Sequence, residues 1–175
     1  MDIVIKALVS GHSGFAKQFG NMVKGLKENK KVDRLKLIPE MMSNEVRKCY
    51  KNLLETKINP EKSILIDTGL AHNYLNDTIA YKLRIGVSEL ETDRISLSWM
   101  NSCNSMDAII TPTDFNVKTY TKSGVVIPIK DIFTGCFEYG INENKTNIIK
   151  SMIKENLLPR WILSRRIYKF LAIGQ

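Results

Sequence analysis

The residues best suited to chemistry in this sequence gather in four short stretches, each following a run of apolar residues. The first is Ser10-Gly11-His12-Ser13-Gly14-Phe15. Glycines at 11 and 14 let the backbone come close to a ligand, Ser13 adds a hydroxyl, and a helix beginning beyond them would offer free N–H groups to an anion. A GxxG of this kind is also what a plain strand-to-helix turn looks like, and the fuller GxGxxG is missing. The second stretch, 67–73, holds Asp67 and His72. Asp67 reads either as a cleft carboxylate or as the cap of the next turn, and loop histidines such as His12 and His72 are ordinarily solvated. The third, 88–94, puts Glu89, Glu91 and Asp93 within five residues. That spacing suits an acid–base pair or a cation, and equally a helix cap among solvated charges. The fourth, 111–116, contains Thr113 and Asp114. No nucleophile with an adjacent base and no P-loop is legible.

The elements that must position these stretches alternate. Apolar, β-branched runs predict strands over 2–8, 35–38, 63–67, 83–87, 107–110 and 125–129. Phe15, Phe19, Met22, Val23 and Leu26 form one helical face. Ser43 can cap a helix carrying Val46, Tyr50, Leu53 and Leu54, and Asp93 one from 94 to about 104. Thr113 or Asp114 starts another that stops at Ser123-Gly124. Short apolar strands separated by helices argue a Rossmann-like, doubly wound α/β fold, with a parallel sheet covered on both faces. In such sheets ligands sit at the carboxyl ends of the strands, which is where all four stretches fall.

With 175 residues the chain has room for one ordinary domain, and 43% hydrophobic with 25% charged residues excludes disordered and fibrous classes. Neither a membrane-spanning run nor a signal-peptide layout is visible, so a cytoplasmic protein is expected. Cys49, Cys103 and Cys136 are scattered, which suggests neither a disulfide framework nor a zinc site. The net charge is +8 and uneven: residues 1–60 carry 12 basic and 6 acidic side chains, 61–110 carry 4 and 7, and 111–175 carry 10 and 5. A basic surface favours phosphates, although 19 lysines against 7 arginines also fits a simply solvated surface.

The tail differs. Residues 138–144 are polar, 146–156 carry a helical apolar face, and 160–167 mix aromatic, aliphatic and basic groups. That last segment reads as an interdomain connector or as a peripheral membrane contact. Residues 167–175 read as a strand entering a Gly turn. The expected organisation is a domain over 1–140, a helical connector over 141–166, and over 167–175 the first strand of a second, truncated domain. The alternative is a strand docked on the edge of a single sheet.

The segment from Lys82 to Asn116 resembles a known family. Ile85-Gly86-Val87 with Glu91, then Trp99 through Asn116, then Ser123-Gly124-Val125 and Ile127-Pro128, are similar to the amino-terminal domain of group-1 retaining glycosyltransferases of the GT-B fold. Members often read "IGYxxxE", "W…CNxMDxIxVPSxFN", "SGV" and "VIP". The Ser13-Gly14-Phe15-Ala16 turn is similar to the family's amino-terminal "SGFA" turn, and 168–175 resembles the first strand of its second domain. Thr113 stands where Ser is common.

The resemblance implies a metal-independent transfer of sugar from a nucleotide-sugar donor to an acceptor, with no cofactor. This lobe would shape the acceptor side, and a second domain or chain, or a homodimer partner, would hold most of the donor. On this resemblance Gly11, His12, Ser13, Gly14, Glu91, Thr113 and Asp114 are expected at donor phosphates or acceptor. His72 is the expected cleft histidine with a catalytic role. The family's carboxylate motif, two glutamates eight positions apart, belongs to the second domain and is not found here. A phosphate-, nucleic-acid- or membrane-surface-binding module is the other expectation. For nucleic acid, the aromatic-and-basic platform such readers use is missing.

Overall fold

In the computed structural model, the described residues are 1–9, 14–41, 43–74 and 79–132. They all lie in the first of two units into which the chain divides, residues 1–134. The connector and strand expected over 141–175 lie outside the described residues.

Among the described residues six strands form one parallel sheet: β1 (Asp2–Leu8), β2 (Arg34–Met41), β3 (Ser63–Thr68), β4 (Leu83–Val87), β5 (Ala108–Thr111) and β6 (Ile129–Asp131). Their spatial order is β2-β1-β3-β4-β5-β6, and every pairing is parallel. The fold is therefore α/β and Rossmann-like. β1 lies between two strands and is buried from residue 2 to residue 7, which is why it reads as an unbroken apolar run instead of alternating.

Among the described residues five α-helices accompany the sheet: α1 (Gly14–Glu28), α2 (Asn44–Cys49), α3 (Lys51–Glu55), α4 (Leu97–Asn104) and α5 (Asp114–Lys122). On one face Ile3, Ile5, Ala7, Leu35 and Leu37 pack with Phe19 and Val23 of α1 and Leu53 of α3. Tyr50 meets Phe19 edge-on, with ring centroids 5.4 Å apart. On the opposite face Ile109 packs with Tyr74, Cys103 of α4, Met106, Tyr120 of α5 and Val125. Burial pushes the Cys103 thiol up to about 12.

Four elements differ by more than one residue from the sequence expectation. β2 continues through Pro39 to Met41, with a register shift opposite Ala7 and Leu8. It is an edge strand, where a residue without an N–H is tolerated. The cap of α4 is Ser96, whose Oγ accepts from Trp99 N at 3.4 Å, and Asp93 is left in an exposed bend. Residues 125–126 are not strand. Val125 N donates to Tyr120 O to close α5, and Val126 N donates to Asn104 Oδ1 at 2.9 Å, so neither enters the ladder and β6 starts at Ile129. Gly124 takes φ +97° at this helix end, where any side chain would be strained. The single helix expected from Ser43 is broken at Tyr50 into α2 and α3.

Among the described residues no helix is long and apolar enough to cross a membrane.

Candidate functional site at the carboxyl edge of the sheet

Because the strands are parallel, all their carboxyl ends share one edge. The chain leaves β1 for β2 on one side and returns for β3 on the other, so the order reverses between the carboxyl ends of β1 and β3. Crevices at such reversals are the usual ligand sites of open α/β sheets. Gly14 is the first residue of α1, the helix that follows β1. Gly11, His12 and Ser13 lie outside the described residues.

Under this edge is a charged cluster. Lys6 and Asp67 are register partners on β1 and β3. Lys6 Nζ lies 3.3 Å from Asp67 Oδ2 and 3.0 Å from Glu40 Oε1 of β2, and it also donates to the carbonyl of Asn73. The Asp67 side chain is 1% exposed. Burying a carboxylate this deeply costs several kcal/mol unless a charge and hydrogen bonds compensate. Lys6 supplies part of that compensation and ties three strand ends to the turn Ala71–Asn73. Its ammonium is thereby committed to carboxylates and is not offered to a phosphate. In the sequence this arrangement is signalled by Asp67 after its apolar run and by a lysine set inside the apolar run Ile3-Val4-Ile5-Lys6-Ala7-Leu8.

His72 stands in the Ala71–Asn73 turn, exposed, its ring 5.1 Å from Trp99 of α4 and tilted by 32°. The following Tyr74 is buried over the second face of the sheet. Its ring lies so close to Gly86 that a Cβ there would come within 2.6 Å of Cζ. This close approach gives the glycine of the Ile85-Gly86-Val87 motif a packing reason. Burial raises the Tyr74 phenol well above 10 and pushes Tyr120 up to about 12.

Glu91 is exposed in the bend after β4. Thr113 is the N-cap of α5, its Oγ1 accepting from Asn116 N at 3.2 Å, so the hydroxyl serves the helix. Asp114 occupies the first turn of α5, where a negative charge complements the helix dipole, and pairs with Lys118 at 2.6 Å. Asn116, which was not among the expected site residues, is 2% exposed. Its Nδ2 donates to Leu90 O at 2.8 Å, pinning the loop that carries Glu91 to the start of α5. The structure thus joins the Glu91 loop to Thr113 and Asp114, and sets His72 against Trp99 on a separate turn. Among the described residues no three His, Cys, Asp or Glu side chains come together as metal ligands.

No protein family, no curated protein and no solved structure matches this chain.

Proposed function

We propose that the chain supplies the acceptor-side lobe of a retaining, GT-B-type glycosyltransferase that moves a sugar from a nucleotide-sugar to an acceptor in the cytoplasm. The observation that carries the reading is where the family-like residues fall on the fold. Ile85-Gly86-Val87 ends β4, Glu91 follows it, and Thr111-Pro112-Thr113 leads from β5 into α5, all on the edge where Gly14 opens α1.

In this reading the N-terminal N–H groups of α1 meet the donor diphosphate, since Lys6 is held by Asp67 and Glu40. His72, with Trp99 beside it, faces the reacting sugar, and the pinned 88–94 loop borders the acceptor. A second lobe, from the same or another chain, holds the nucleotide. The mechanism needs no metal, because helix dipoles and basic groups meet the departing diphosphate charge.

The test is calorimetric titration of the full chain with uridine-, guanosine-, cytidine- and adenosine-diphosphate sugars, repeated on Gly14→Val. Binding of one donor that the valine abolishes supports the reading. Failure of every donor to bind, or equal affinity in the variant, counts against it.

A further inference from the structure

The second face of the sheet carries four buried side-chain hydroxyls without a well-formed hydrogen bond to a protein group: Tyr74 Oη, Ser88 Oγ, Thr111 Oγ1 and Tyr120 Oη. The four residues are 4%, 3%, 0% and 0% exposed. The backbone brings them together. Ser88 continues β4, its N–H donating to Ile110 O at 3.1 Å, and Thr111 ends the neighbouring β5. Tyr74 lies over Gly86, two residues before Ser88, and Tyr120 comes from α5 in the same core. The Ser88 hydroxyl is near enough to both phenols to oppose the rise that burial gives them. That one hydroxyl is shared between two phenols, and neither it nor Thr111 Oγ1 makes a well-formed hydrogen bond to a protein group.

One such hydroxyl would be an isolated defect, but four on the same sheet face, from two adjacent strands and the core packed over them, point to a common lining. A buried polar group that loses water without gaining a partner is costly, and proteins relieve that cost with internal waters that make about three hydrogen bonds each. We propose that Tyr74, Ser88, Thr111 and Tyr120 wall an internal hydration site, whose ligand is ordered water, between β4, β5, α5 and the segment 70–74. Ser88 and Thr111 are the roots of the two loops that carry Glu91 and Thr113, and Tyr74 ends the turn that carries His72. The bound water therefore anchors three pieces of the carboxyl edge at once. This holds whether or not the protein transfers sugars.

The test uses the full chain. A high-resolution crystal structure, with water-to-amide nuclear Overhauser effects at Ser88 and Thr111 in solution, reads the water directly. Thermal unfolding of Tyr120→Phe and of the milder Ser88→Ala reads its effect. The expected result is water density within hydrogen-bond reach of at least three of the hydroxyls, and midpoints lowered by about 2–5 °C. Two results overturn the proposal. Unchanged or raised midpoints would mean that the hydroxyls are buried dry. Lowered midpoints with the hydroxyls bonded directly to one another, and no water found, would mean that a small rotation of Ser88 satisfies them.

Discussion

Gly86→Ala adds one carbon, and the structure gives it no room. The new Cβ would stand 2.6 Å from Tyr74 Cζ, 2.7 Å from Tyr74 Cε2 and 2.7 Å from Ile109 Cδ1. Carbon atoms rest at about 3.5–4.0 Å, so each neighbour must retreat by roughly 1 Å. Neither retreats cheaply. Ile109 is fully buried on the adjacent strand, and Tyr74 is 4% exposed at the end of the turn held by Lys6. Overpacking of this kind costs about 2–3 kcal/mol. For a unit of this size that lowers the thermal midpoint by roughly 6–15 °C. The assay is thermal and urea unfolding of Gly86→Ala, Tyr74→Ala and the double variant. Removing the ring takes away the closest contacts, so Gly86→Ala should cost less than half as much in the Tyr74→Ala background, with the residue due to Ile109. An unperturbed Gly86→Ala, or strict additivity with Tyr74→Ala, would refute the claim that this glycine exists to seat Tyr74.

Lys6→Met leaves Asp67 buried beside Glu40 with the shared ammonium gone, and stability should fall by about 3 kcal/mol; adding Asp67→Asn should restore at least half, measured by urea unfolding. Arg34 holds the Asp2 carboxyl below its usual range through a paired contact. A lowered folded-state pKa stabilises above the unfolded value of about 3.9 and is lost as pH falls through the folded value. Asp2→Asn should accordingly be less stable than the parent at pH 7, with the gap closing at acid pH; a gap constant down to full acid unfolding would contradict this. In a Cys136→Ser background, exposed Cys49 should react promptly with a thiol reagent at pH 8, whereas Cys103 should react only on unfolding.

Much of the scaffold could be read from residue order. β1 is buried along nearly its whole length and β3 at alternate positions, so both appear as short apolar, β-branched runs, and the helical face of Phe19, Met22, Val23 and Leu26 is local. The misread boundaries depend on distant partners. Nothing within 125–129 says that Asn104 and the end of α5 will take the backbone groups of Val125 and Val126. Whether Pro39 ends a strand depends on its being at the sheet edge, which only the strand order reveals. The site follows the same rule. Thr113 as a cap was legible because capping spans three residues. The Lys6–Asp67 pair joins positions 61 apart, and Asn116 reaches Leu90 across 26, so neither partner was legible from its neighbours.

On the proposed reading, ligands bind at the carboxyl edge where the strand order reverses. Amide chemical-shift mapping of the full chain during titration with nucleoside-diphosphate sugars tests it most directly. Saturable shifts are expected at Gly14, Gly69–His72, Ser88–Glu91 and Thr113. Shifts confined to the groove beside Lys57, Pro60 and Tyr81, or no saturable shift with any donor, would contradict it.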